Sequence, residues 1–384
     1  MTYDLLSRYL ETRSRTTQLT TSLNVEEYNL QAADFTSPPK WHLAHTTWFF
    51  EKLILEQFVD NYPVFNAAFD FLFNSYYNSI GDRVKRNRRG LITRPGIEKI
   101  YEYRKHVDYH ITQLLSSIYA DDVRELIILG INHEQQHQEL LLSDLKYALA
   151  LNPLLPVYDN NLNLVNEGNE ETGWLKMSEG IYNIGHQSKN FSFDNELGRH
   201  KVYLHDYEIS KSLITNGEFI DFIESGGYKK FHFWLDEGWS WVNDNNITNP
   251  LYWSQIDGDW FYFTLAGLQP INGNAIVSHI SHFEASAFAS WKGCRLPTEY
   301  EWEAASSIIK WGKRWEWTNS AYLPYPGFKV SEDIIGEYNG KFMINQMVLR
   351  GASEATALGH SRNTYRNFFQ TNTQWQFTGI RLAR

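Results

Sequence analysis

The chain has 384 residues, enough for two or three domains, and carries 35 Lys+Arg against 45 Asp+Glu for a formal net charge of −10. That acidic balance argues against a nucleic-acid partner, which calls for clustered Lys and Arg. No run reaches the ~18 apolar residues of a membrane span, and the N-terminus lacks the basic and apolar regions of a secretion signal, so no membrane partner and a cytoplasmic location are expected. The single cysteine, Cys294, excludes an intramolecular disulfide and a Cys-rich metal site.

Residues 1–151 read as helical. Tyr3 to about Ala33 is a polar amphipathic stretch. Ser37-Pro38-Pro39 opens a second helix, Lys40 to about Phe58, because proline suits a first turn whose N–H groups have no intrahelical partner. A third is expected from Pro95 through Leu115. The fourth, Asp121 to Leu151, begins with an acidic pair favoured at the positive end of the helix dipole and stops at Asn152-Pro153. Four such helices suggest an antiparallel bundle. Asn61 to Arg94, between the second and third, reads as an irregular stretch, and a loop of that length in a compact domain is usually functional or disordered. Residues 152–173 read as a linker. From Trp174 to the end, 174–384, short strand-like pieces (Lys201–Leu204, Trp260–Thr264) sit among Gly, Asn and Trp. Two short helices are expected there, Asn216 to Glu224 and Phe283 to Trp291, giving an α+β domain. Aromatics are 16% of the chain, many of them in this half, where large rings can pin irregular loops or line a pocket.

The strongest chemical signal is His133-Glu134-Gln135-Gln136-His137 on the fourth helix. Histidines at i and i+4 share one face about 6 Å apart, which suits joint coordination of one ion. The face continues through Leu126, Gly130, Leu140 and Leu141, so both rings should enter the bundle core. Asp144 follows on the same face, either as a solvated helix end or as a partner of a ligand histidine. The residues also spell the zinc-protease pattern H-E-x-x-H, but the following Gln-Glu-Leu-Leu-Leu offers no third ligand of that class. A third histidine is available from the second helix, His42 or His45. Imidazoles suit Fe, Cu, Ni and Zn alike. Three neutral ligands leave a divalent ion its full charge, which favours an incoming thiolate.

Taken in order, several segments resemble the ergothioneine sulfoxide synthase family. In the first half these are Ser37-Pro-Pro-Lys-Trp-His-Leu-Ala-His-Thr-Thr-Trp-Phe-Phe-Glu51 and His133-Glu-Gln-Gln-His137. In the second they are Asn183-Ile-Gly-His186, Phe193-Asp-Asn-Glu-Leu-Gly198, Thr215-Asn-Gly-Glu-Phe219, Arg295-Leu-Pro-Thr-Glu299, Trp315-Glu-Trp-Thr318 and Trp375-Gln-Phe-Thr-Gly-Ile-Arg-Leu-Ala383. The resemblance implies a DinB-like four-helix bundle followed by a C-type-lectin-like, formylglycine-generating-enzyme-like domain. It implies an iron(II) cofactor on His45, His133 and His137, leaving His42 as a packing or supporting residue. The implied substrates are dioxygen, cysteine and Nα-trimethylhistidine (hercynine), joined as a sulfoxide at the imidazole C2.

Leu72-Phe-Asn-Ser-Tyr-Tyr77 looks like the subgroup that takes free cysteine, in which paired tyrosines supply a phenol near the iron; Tyr76 and Tyr77 are the proton-donor candidates. Among the basic residues that follow, Arg83, Arg86 and Arg94 are candidates for the cysteine carboxylate, since guanidinium forks bind carboxylates. Gln136, Asn367, Phe368 and Phe369 are assigned to the acceptor, whose trimethylammonium group suits ring faces. The chain departs from the family pattern at Gln370-Thr-Asn-Thr373, where an aromatic–proline turn is expected, and at Ala352, where Gly-Gly is expected. A formylglycine-generating oxidase, which needs two cysteines for copper, is excluded by the single Cys294. The alternatives are a sibling reaction on histidine (ovothiol-type) or with a selenium donor (selenoneine-type), and a non-catalytic metal-binding lectin-like module.

Overall fold

Leu5, Tyr9, Thr12, Arg13 and Thr16 recur every three or four residues and form the buried face of the first helix, α1 (Leu5–Gln18). A computed structural model describes residues 5–75, 82–117, 119–162, 167–329 and 339–384 of the chain. The helix is shorter than the expected run to Ala33. Its end is rich in threonine, and the hydroxyls of Thr16, Thr17, Thr20 and Thr21 turn back onto carbonyls three or four residues earlier. Such local bonds compete with helix propagation.

α2 (Pro39–Phe50) follows Pro38, which is extended at the N-cap. All twelve of its residues are buried, so it is a central helix. It runs on through a wide turn, Glu51–Leu55, to a last turn ending at Phe58. The stretch expected to be irregular contains a short helix, α3 (Phe69–Phe73), and a tight turn, Arg86–Leu91. α4 (Ile97–Leu115) begins two residues after the expected Pro95. Gly96 is its extended N-cap, and Ile97 opens the apolar stripe Ile97, Ile100, Tyr103, Val107, Ile111, Leu115. α5 (Asp121–Ala150) is as expected, with Asp121 and Asp122 in its first turn. It packs on α1 and α2, and α2 packs on α4. Gly130 permits the approach of α5 to the end of α2, because a Cβ there would stand 2.4 Å from the Phe50 ring.

By its contacts the chain divides into two units, Met1–Tyr158 with Thr356–His360, and Asp159–Ala355 with Ser361–Arg384. The second is sheet-rich, with strands β1 (Trp174–Met177), β2 (Gly180–Ile184), β3 (His200–Leu204), β4 (Tyr207–Leu213), β5 (Trp253–Ile256), β6 (Asp259–Thr264), β7 (Gly267–Pro270), β8 (Trp315–Ala321), β9 (Met347–Gly351), β10 (Asn367–Phe369), β11 (Thr378–Gly379) and β12 (Arg381–Ala383). The sheets run β1-β4-β12, β5-β6-β7, β2-β3 and β10-β9-β8-β11, antiparallel except where β11 meets β8.

Four helices join them: α6 (Asn216–Glu224), α7 (Asp236–Asp244), α8 (His282–Trp291) and α9 (Glu299–Ala305). Capping boxes start three of these, Thr215 with Glu218, Ser281 with Glu284 and Thr298 with Glu301. α7 and α9 were not expected. At seven to nine residues they show too little periodicity to separate from loop. The rings pack on one another, as in the Phe219–Phe288 stack at 5.4 Å. Buried Arg350, Arg366 and Arg381 pair with Glu303, Glu299 and Glu316 beneath them. Gln370–Thr373 still turns without proline, closed by the Thr373 N–H donating to the Gln370 carbonyl. No helix among the described residues is long and apolar enough to cross a membrane.

Candidate metal centre

α5 carries His133 and His137 into the bundle core, and α2 brings His45 to them. All three are buried, and one ring nitrogen from each lies within 4.8 Å of the others. Among the described residues they are the one cluster of metal-ligating side chains of this kind. The His45 Nδ1–H donates to the Phe73 carbonyl at 2.6 Å. A neutral imidazole has one proton, so the His45 Nε2 is a lone pair, and it stands 3.2 Å from His133 Nε2. Two nitrogens that each sit ~2.1 Å from one ion are about 3.0–3.4 Å apart, so the donor set fits a transition metal.

Burial presses His45 well below the ordinary imidazole range, and His133 adds to this. Burial likewise holds His133 at about 4, against the pull of Glu134, and presses His137 well down, with His133, His45 and His42 adding to it. At neutral pH all three rings are therefore uncharged, and each has a lone pair that could hold a metal.

His42 lies one turn before His45 and is not one of the three clustered histidines. Its Nδ1 is 2.9 Å from His137 Nδ1, and its Nε2 is 3.2 Å from Asp144 Oδ2. Asp144 is buried rather than a solvated helix end. Its Oδ2 also accepts the Ser37 N–H at 2.8 Å, so the approach to α2 closes over it. The Trp41 ring stacks on His45 with centroids 4.4 Å apart and carries the Arg89 guanidinium 3.4 Å from its centroid. Arg89 is buried and donates to Ser37 Oγ and Ser75 Oγ at 2.8 and 2.9 Å.

Glu134 is not placed as a protease base. Arg13 Nη1 and Arg104 Nη2 donate to its two oxygens at 2.8 and 3.0 Å. Burial pushes its carboxyl up, but the two arginines outweigh this and hold it at about 2. Arg13 Nη2 also donates to Thr47 Oγ1 at 2.9 Å, and Arg104 Nη1 to Thr46 Oγ1 and Thr47 Oγ1 at 3.3 and 3.2 Å. The network thus grips the residues next to His133 and His45. Sequence reading missed it, although one signal was present: Arg13 continues the buried Leu5–Tyr9 row at the next i+4 position, where a charge calls for a buried partner.

Of the arginine candidates, Arg83 and Arg86 are half-buried, and the charge of Arg86, like that of Arg89, is felt at His42. Arg94 is exposed. Gln136 is half-buried on α5. Asn367, Phe368 and Phe369 form β10 of the second unit, where Phe368 stacks on Tyr322 at 4.1 Å and Phe369 meets Trp375 edge-on at 5.6 Å. Tyr76 and Tyr77 lie outside the described residues.

Residues 8–141 match the DinB superfamily, and residues 163–314 match the Sulfatase-modifying factor enzyme 1-like domain. A protein of Mycolicibacterium smegmatis named Hercynine oxygenase is 28% identical over 324 residues, covering 70% of this chain and 74% of the relative. Ergothioneine biosynthesis protein 1 of Schizosaccharomyces pombe is 27% identical over 233 residues, covering 50% of this chain and 28% of the relative. A Formylglycine-generating enzyme of Streptomyces coelicolor is 27% identical over 158 residues, covering 38% of this chain and 50% of the relative. The chain thus pairs a DinB-superfamily domain with a Sulfatase-modifying factor enzyme 1-like domain and is similar to proteins named hercynine oxygenase, consistent with the resemblance to the ergothioneine sulfoxide synthase family.

Proposed function

We propose that the chain is an iron(II)- and dioxygen-dependent sulfoxide synthase that joins the sulfur of cysteine to the imidazole C2 of hercynine. The observation that carries this is the buried cluster of three neutral histidines, with His45 Nε2 and His133 Nε2 at chelating separation. Relatives named hercynine oxygenase support the acceptor. The overall change balances simply. The S–H and C2–H hydrogens leave with one oxygen atom as water, and the other oxygen ends on sulfur. Iron(II) on the three histidines supplies the redox activation of dioxygen and an anchor for a thiolate.

The protein's own groups do the rest in this reading. The Phe73 carbonyl holds the His45 proton on Nδ1 and so keeps Nε2 free to ligate. The charge of Arg86 near His42, with Arg83 and Arg94 on the same segment, offers forks for the cysteine carboxylate. Tyr76 or Tyr77 donates the proton that accompanies coupling, a role resting on the family resemblance. Gln136, Asn367, Phe368 and Phe369 hold the acceptor, also by that resemblance.

One assay tests the reading. Protein reconstituted anaerobically with Fe(II) is given oxygen and cysteine with either hercynine or histidine, and products are read by mass spectrometry. A hercynine–cysteine sulfoxide is expected. No C–S product with either acceptor overturns the function, and comparable turnover of histidine overturns the acceptor.

A further inference from the structure

The far side of His137 is filled by groups that a three-histidine site does not itself require. His42 and Asp144, both buried, lie in a line behind it, with Nδ1 to Nδ1 at 2.9 Å and Nε2 to Oδ2 at 3.2 Å. An ionised carboxylate only accepts hydrogen bonds, so His42 carries its proton on Nε2. The Nδ1 of a His42 with that single proton is then a lone pair, and the 2.9 Å contact is a hydrogen bond only if His137 donates from its own Nδ1. The remaining lone pair of His137 is thereby on Nε2, across the ring from His42. The carboxylate is itself immobilised, because its Oδ2 also takes the Ser37 N–H at 2.8 Å.

We propose that Asp144 and His42 are positioning residues that fix the tautomer of His137 and so present its Nε2 as a ligand. The use of that tautomer rests on the metal-centre reading above, but the tautomer is a property of the metal-free protein. His45 reaches the same state by a different route, through the Phe73 carbonyl. His45 and His137 are thus both set with Nδ1 protonated, one by the Phe73 carbonyl and the other by His42 of α2.

The test uses the full chain, metal-free, with histidine labelled by ¹⁵N, and reads each ring by long-range ¹H–¹⁵N correlation at neutral pH. His137 is expected as the Nδ1–H tautomer and His42 as the Nε2–H tautomer. In His42→Phe no acceptor faces His137, so both of its tautomers should appear. Affinity for Co(II), read from its visible absorption, should then fall about 10–100-fold, whereas His42→Gln, whose amide oxygen can accept the same proton, should lose less than about threefold. Circular dichroism confirms that each variant is folded. A wild-type His137 protonated on Nε2 overturns the proposal, as does equal weakening of Co(II) binding in His42→Gln and His42→Phe. If the wild type binds no Co(II), the metal-centre reading fails, and the tautomer measurement still decides this proposal.

Discussion

Glu134→Gln removes one buried charge at nearly constant volume. Glu134 is fully buried, and its partners Arg13 and Arg104 are each 3% exposed. Asp108 takes the Nε of Arg13 at 2.7 Å, so two arginines face two carboxylates and the cluster is neutral. With Gln, one positive charge is left uncompensated in the bundle core. The other partners of Arg104 are neutral, the Leu43 and Arg13 carbonyls and the Thr46 and Thr47 hydroxyls.

Removing one member of a buried ion pair costs about 3–5 kcal/mol, out of a typical domain total of about 5–15 kcal/mol. At about 2–4 °C per kcal/mol for a unit of this size, the bundle transition should fall by roughly 6–20 °C in scanning calorimetry. At a temperature where the variant remains folded, metal content should stay near wild type, because Glu134 is spent on the arginines. A cost below about 1 kcal/mol would refute the reasoning, since a buried charge cannot be left unpaired so cheaply. So would a wild-type transition with turnover abolished, which is what a catalytic base at Glu134 would give.

His45→Ala, His133→Ala and His137→Ala should each abolish stoichiometric iron binding, measured by metal analysis after anaerobic reconstitution; full iron content in His45→Ala would displace it as a ligand. Free cysteine should be preferred over γ-glutamylcysteine, and an equal or better kcat/KM with the latter would contradict the subgroup assignment. Tyr76→Phe or Tyr77→Phe should divert product from sulfoxide to cysteine sulfinate at unchanged iron content, since general-acid assistance is worth ~10²–10⁴-fold; an unchanged product ratio in both and in the double variant would make them loop anchors. In the second unit, burial holds His282 at about 4. The unfolded chain takes up that proton near pH 6.5, so stability is full above about 6.5 and falls as pH drops toward 4, by up to about 3 kcal/mol. His282→Phe should flatten this part of the urea-stability profile, and parallel profiles would rule the account out.

Much of the architecture was legible because its signals are local. Pro38-Pro39 opens α2, Asp121-Asp122 opens α5 and Asn152-Pro153 closes it. Each acts within one helical turn, on backbone groups that a helix end leaves without partners. The end of α1 was misread because threonine hydroxyls compete with the backbone without disturbing the polar pattern. α9 was missed although its capping box is written in the sequence, because two turns carry too little periodicity.

The i, i+4 spacing alone determined that His133 and His137 share a face, since helix geometry fixes that at short range. It could not decide between His42 and His45, which lie three residues apart on a helix buried all round. That choice was made by the packing of α2 against α5. The packing turns His45 toward the histidine pair and His42 toward Asp144, 102 residues away in sequence. The same holds for Arg13 and Glu134, separated by 121 residues. A charge on a core face announces that it must have a partner, because burial without one is too costly. Which residue answers is settled only when four helices pack together.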